Sequence, residues 1–178
     1  MSFIVIGINH RTAPVAIREQ VVFADADLPS ALTALGRVPD ICESLIVSTC
    51  NRTEIYCFTE VEPDDNSEAH AQALTEWMTR WHRLDHPHLA DSLYRHTGTE
   101  AISHAFKVAA GLDSMVVGEA QILGQLKEAY RIAQHHGSTG PYLNRLFQAA
   151  FSAAKRVRTE TRIGANAVSV ASAAVSMA

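Results

Sequence analysis

Cysteine is scarce in this chain of 178 residues: there are three, Cys42, Cys50 and Cys57. An odd and sparse set argues against a disulfide framework and points to a reducing compartment, the cytoplasm, where a free thiol can work. Long apolar runs are missing too, and none approaches the roughly 18–20 residues that span a bilayer. The opening "MSFIVIGINHRTAP" has no basic lead-in and no small-residue cleavage site, which argues against a signal peptide. Neither a C-x-x-C pair nor an H-E-x-x-H helix occurs, so the nine histidines form no metal pattern and no metal is expected. "HRLDHPH" (82–88) and "HH" (135–136) read as polar loop and helix-end residues. No G-x-G-x-x-G follows a strand, so a dinucleotide fingerprint is absent. The formal charge of −4 leaves no overall nucleic-acid footprint, although "KRVRTETR" (155–162) is locally basic.

What is present is ample apolar material, 47% of residues, enough for one full core or for one domain with an appended piece. "FIVIGINH" (3–10) reads as a buried strand and "LPSALTALGR" (28–37) as a helix with Leu28, Ala31, Leu32 and Leu35 on one face. "ESLIVST" and "TEIYCFTE" flank a tight turn, which is a hairpin pattern. A polar loop at 62–68 leads to a helix over 68–83 carrying Leu74, Trp77, Met78 and Trp81 on one stripe. Pro87 breaks that pattern, and "SLYRHTG" (92–98) reads as a short strand. The class is α+β, and the order β-α-β-β-α-β is the ferredoxin-like split arrangement, an antiparallel sheet with two crossover helices on one face.

After residue 97 the pattern is helical. Thr97 and Glu100 have capping-box spacing and open a helix through Ala110, stopped by Gly111. Residues 118–137 place Ile122, Leu126, Ala129, Tyr130 and Ala133 on one stripe. From Pro141 a long helix is expected to about Ile163, with Leu143, Leu146, Phe147, Ala150, Phe151, Ala154 and Val157 inward. Gly164 interrupts it, and "NAVSVASAAVSMA" starts a small-residue helix that reaches Ala178 without a cap. The expectation is a fragment of a longer protein, cut in mid-element.

The unusual stretch is "IVSTCNRTEIYCF" (46–58), a hairpin whose tip carries a thiol and a cation where Asn-Gly would make a simpler turn. In extended backbone Cys50 and Arg52 share a face, roughly 6.6 Å apart along the strand. That span is comparable to the distance between the two carboxyl carbons of an extended glutamyl group, so a nucleophile and a carboxylate fork would suit an acidic acyl donor. An inert buried cysteine beside a solvated arginine fits the spacing as well. Cys42 and Cys57 read as core packing. His104 lies nearly opposite the stripe of Ile102, Ala105, Phe106 and Ala109, which puts it on a solvated face or in a cleft where an imidazole could move a proton. Ser114, Glu119, Gln121 and Gln125 gather around a helix start whose free amides could bind an anion or carbonyl, or could be ordinary capping.

Taken together, "GINHRTAPV", "STCNRTEIY", "SHAFKVAAGLDSMVVGEAQILGQLKEAY" and "NRLFQAAFSAAKRVRTETRIGANAVSVA" resemble the glutamyl-tRNA reductase family, in order and over nearly the whole chain. The resemblance implies a V-shaped homodimeric enzyme of the first step of tetrapyrrole (haem) biosynthesis, with no membrane association. Residues 1–138 would be the catalytic domain binding glutamyl-tRNA. Residues 139–163 would be a spinal linker helix, and 164–178 the start of an NADPH-binding domain followed by a C-terminal dimerisation domain. Cys50 would be the nucleophile that forms a glutamyl thioester. NADPH held beyond this chain would then reduce it to glutamate-1-semialdehyde, which a partner aminotransferase would receive. Thr49, Asn51, Arg52, Ser114, Glu119, Ala120, Gln121 and Gln125 would line the glutamate site, Arg52 as carboxylate clamp, and His104 would relay a proton or orient a partner. One departure stands out: the family reads Gly-Glu-Pro-Gln where this chain has Ala120, which removes a fixed φ. The alternative is a tRNA- or partner-binding module in which Cys50 is merely packed and the basic segment 155–162 carries the contact.

Overall fold

The apolar N-terminal run forms β1 (Ser2–Asn9), buried at every position. The computed structural model describes residues 2–60, 67–84 and 87–164. Burial on both faces follows from where β1 sits. The sheet runs β2-β3-β1-β4, with β2 Ile41–Ser48, β3 Arg52–Thr59 and β4 Tyr94–Thr97. All neighbours are antiparallel. A strand with partners on both edges and cover on both faces is selected for continuous apolar sequence, as "FIVIGI" is.

The connections supply that cover. After β1 come a single turn, α1 (Val15–Arg18), and a 3₁₀ turn at Glu19–Val21, neither legible in the sequence, then the expected α2 (Leu28–Leu35). Between β3 and β4 lie α3 (Ser67–Trp81), against β1, and a short α4 (Pro87–Ser92) where only a break was expected. Most of the expected polar loop 62–68 lies outside the described residues, as does the expected helix after Gly164.

Three longer helices complete the fold: α5 (Gly98–Ala109), α6 (Gln121–His136) and α7 (Pro141–Glu160). The stripe expected for α6 is the buried set found: Ile122, Leu126, Ala129, Tyr130 and Ala133. The capping box expected at α5 does not form, because Thr97 occupies the N-cap in extended backbone without a side-chain hydrogen bond. The α7 helix ends at Glu160, three residues early, where Thr161 turns extended at φ −130°. Its start is fixed from the sheet. Glu43, beside a register shift in β2, accepts the amides of Tyr142 (3.0 Å) and Leu143 (2.6 Å) with its two carboxylate oxygens. The core includes Tyr56, Phe147, Ile4, Ile6, Leu45, Leu74, Met78 and Leu126, each under 2% exposed. No helix among the described residues is long and apolar enough to cross a membrane.

Candidate active site

The β2–β3 tip is held by side chains rather than by glycine. Thr49 Oγ1 accepts the amides of Asn51 (3.2 Å) and Arg52 (3.1 Å), while Thr49 N–H donates to the Arg52 carbonyl at 2.8 Å. A threonine turn of this kind replaces the Asn-Gly solution and leaves the middle residue free to carry a functional side chain. Cys50 takes that place and is exposed. Two neighbours brace the turn from behind. His10 N–H donates to the Asn51 carbonyl (3.1 Å), and the buried Arg18 donates through Nη1 to the Cys50 carbonyl (2.8 Å) and to Asn51 Oδ1 (3.2 Å).

Facing Cys50 across a narrow cleft is the segment from Gly111 into α6. Thr49, Cys50, Asn51 and Arg52 line one wall; Ser114, Glu119, Gln121 and Gln125 line the other, with Met115 and Ile122. The free volume is about 20 Å³, room for one water. Gly111 and Gly118 give this loop its shape at φ +74° and +83°, and a Cβ at Gly118 would run into the Ile163 carbonyl. Arg158 on α7 donates to the Glu119 carbonyl at 2.7 Å and so ties the loop to the long helix. Ala120 contributes no side chain to the cleft lining. It stands at the N-cap of α6 with φ −71°, within the range a proline ring imposes. The backbone shape survives the departure.

Arg52 differs from its expected arrangement. It lies in the cleft wall but is 2% exposed, and its fork is already engaged. Nη1 pairs with Glu54 at 2.7 Å, and Nη2 donates to both the carbonyl and, at 3.0 Å, the carboxylate of Asp113. Glu54 is wholly buried and receives four donors: Arg52, the hydroxyls of Tyr56 and Tyr94, and His104 Nε2 at 2.7 Å. Burial alone would raise the Glu54 carboxyl, but Arg52 and the His104 and Tyr56 hydrogen bonds outweigh it and hold it well below the usual carboxylate range. Burial likewise opposes the Arg52 charge, and Glu54 overcomes it, keeping the guanidinium protonated. Both tyrosines are pushed up, by burial and then by Glu54.

His104 is therefore not on a solvated face. The buried stripe of α5 is Ala101, His104, Ala105, Val108 and Ala109, and Ile102, expected inside, is 39% exposed. The imidazole occupies a core-facing position because Glu54 satisfies it, a partner fifty residues away that helical periodicity does not register. His104 lines a separate, larger cavity rather than the Cys50 cleft. Arg18, Glu54, Tyr94 and Asp113 were not singled out by sequence. Glu54 and Asp113 had a signal, as members of the quoted "STCNRTEIY" and "SHAFKVAAGLDSMVVGEAQILGQLKEAY" stretches.

Residues 6–161 match the family model described as glutamyl-tRNA(Glu) reductase, N-terminal domain. The chain belongs to this family. Glutamyl-tRNA reductases of Pseudoalteromonas translucida and Magnetococcus marinus are 49% and 51% identical to it over all 178 residues, which cover 41% of each of them. The solved glutamyl-tRNA reductase of Methanopyrus kandleri superposes with a TM-score of 0.75 at 32% identity, over 98% of this chain and 39% of that one. The chain thus spans about two-fifths of the length of the curated relatives it matches.

Within the family frame, eight of the residues carried over by resemblance converge on one cleft, from two segments some sixty residues apart in sequence. Two of the four basic residues in the stretch 155–162 make internal contacts, while Lys155 and Arg162 are exposed. Arg156 pairs with Glu160 at 3.0 Å, and Arg158 holds the cleft loop.

Proposed function

We propose that this chain carries the acyl-transfer half of an NADPH-dependent glutamyl-tRNA reductase. The observation that supports it is an exposed thiol at a braced turn, facing a polar wall across a cleft. Cys50 as thiolate attacks the ester carbonyl carbon of glutamyl-tRNA. A C–S bond forms and the ester C–O bond breaks. The ribose oxygen leaves as a hydroxyl, taking up through water the proton that the Cys50 thiol gave up, and a glutamyl thioester remains on Cys50. Glu119 is the one acidic side chain in the cleft lining and suits the substrate's α-ammonium. The opposite wall holds Arg52, whose fork is engaged by Glu54 and Asp113, so clamping the side-chain carboxylate requires it to exchange Asp113 for the substrate. The amides at the start of α6, with Gln121 and Gln125, supply donors for the carbonyl oxygen. A glutamyl group exceeds the free volume of about 20 Å³, so the cleft widens on binding.

Reduction of that thioester to glutamate-1-semialdehyde would need a hydride from NADPH held outside the residues described. Nothing among the described residues fits a dinucleotide cradle, and the sequence holds no G-x-G-x-x-G, so no reductive step is assigned to this chain. His104, hydrogen-bonded to Glu54, acts by orienting Arg52 through that carboxylate. The strand order, with α1–α2 and α3–α4 as crossovers, supports a ferredoxin-like split arrangement. Residues 1–138 form the catalytic unit, 139–163 the linker helix, and 164–178 the entry to the NADPH domain. The free cysteines support a cytoplasmic setting, and the homodimer and the aminotransferase partner follow from the family.

The test is incubation of the chain with glutamyl-tRNA, followed by mass spectrometry of the Cys50 peptide. One added glutamyl residue is expected, absent in Cys50→Ala. An undiminished adduct in that variant would overturn the reading.

A further inference from the structure

A cavity of about 460 Å³ lies beside the Cys50 cleft, with the Arg52–Asp113 pair between them: Arg52 lines the cleft and Asp113 the cavity. Its size is that of a small-ligand site, and its lining is of three kinds. Tyr94 and His96 share one face of the edge strand β4, and with His104 they form a wall of rings whose centroids are 5.4, 5.3 and 4.7 Å apart. Lys107, one turn beyond His104, supplies a cation, and so does Arg11, which is 57% exposed and pairs through Nη1 with Asp113 at 3.0 Å. Glu100 and Ser103 add an exposed carboxylate and a hydroxyl. Burial, and then His104, push the His96 imidazole below its usual range.

Rings, a hydroxyl-seeking carboxylate and cations are the three parts that a nucleoside phosphate requires. A base stacks on the aromatic wall, a ribose hydroxyl donates to Glu100, and a phosphate pairs with Lys107 and Arg11. An apolar ligand would strand Lys107 and leave the Glu100 carboxylate and the Ser103 hydroxyl without a partner in the ligand. The cavity also borders the nucleophile's turn. Asn9, Arg11 and Thr12 form part of its wall, and His10 between them donates to the Asn51 carbonyl at 3.1 Å.

We propose that this cavity binds the 3′-terminal nucleotide of the RNA whose acyl group enters the Cys50 cleft, an inference that rests on the acyl-transfer reading above. Tyr94 and His96 take the base, Glu100 the ribose, and Lys107 with Arg11 the phosphate. The Arg52–Asp113 pair then marks the boundary between the amino-acid and nucleotide parts of one substrate.

The test is a titration of the chain with the unacylated trinucleotide CCA, followed by amide NMR, with AMP and inorganic phosphate as separate probes. CCA is expected to shift the amides of Tyr94, His96, Ser103 and Lys107. The exposed-site variant Lys107→Glu should bind at least tenfold more weakly, with a log–log salt slope shallower by about one. His96→Ala should also weaken binding, and Cys50→Ala should bind as the parent does. AMP binding more tightly than CCA would make this a free-nucleotide site and overturn the assignment. So would phosphate competing as well as CCA, shifts confined to residues 155–162, or an unchanged Lys107→Glu. A Cys50 adduct without CCA binding here would sink this inference alone. CCA binding here without an adduct would sink the acyl-transfer reading alone.

Discussion

Glu54 Oε1 lies 2.7 Å from both Arg52 Nη1 and His104 Nε2, so one buried carboxylate orients the cation of one cavity and the imidazole of the next. Glu54→Gln removes the charge and leaves Arg52 with Asp113 as its remaining carboxylate partner. Breaking a buried pair of this kind costs about 3 kcal/mol. The expected result is a midpoint lower by roughly 6–12 °C in thermal unfolding, together with a loss of adduct formation. An unchanged midpoint would show that Asp113 alone neutralises the guanidinium.

Cys50 is exposed and takes no part in the core. Cys50→Ala should leave stability within about 0.5 kcal/mol of the parent while abolishing the glutamyl adduct. Urea unfolding and mass spectrometry on the same sample check both halves.

Arg18 is a buried cation that grips the backbone of the Cys50 turn, and its Nε has no partner among the described residues. Arg18→Met keeps the side chain's length and removes two charge-assisted bonds, each worth roughly 1.5–3 kcal/mol. Adduct formation should slow more than tenfold with the Cys50 thiol still alkylated at the parental rate. Slowed alkylation would instead place the effect on the sulfur itself.

Much of the architecture was legible because it is periodic. β1 is a run of apolar residues, and the inward stripe of α6 emerged residue for residue. The short α1 and α4 are too brief to show a period. At the site, Cys50 and its opposite wall could be read from the motif residues. The state of Arg52 could not, since its partners Glu54 and Asp113 come together only through the fold. The burial of His104 could not be read for the same reason, although the cavity it lines agrees with the cleft alternative. A polar residue in a core stripe is intelligible only once its buried partner is known.

His82 supplies a pH signature. It packs edge-on against Phe23 at 4.5 Å, with Nε2 buried and unpaired among the described residues, and burial pushes its imidazole down to about 4. A depressed folded value means that below pH 6.5 the unfolded chain binds the proton and the folded chain resists it. Stability is whole above pH 6.5 and drains away as the pH falls towards 4. His82→Gln should flatten that portion of a stability–pH profile measured by urea unfolding. A slope identical to the parent's would exclude His82 as its source.

The Glu43 carboxylate that receives the first amides of α7 has a mechanical corollary. The twenty-residue rod is anchored to the sheet at its origin, and near its far end Arg158 grips the Gly118–Glu119 backbone. A torque applied beyond Glu160 therefore cannot dissipate by sliding the rod along the sheet. With Glu43 holding the helix start, strain at the far end is carried through Arg158 into the Gly118–Glu119 backbone, which couples the rod to the wall that faces Cys50.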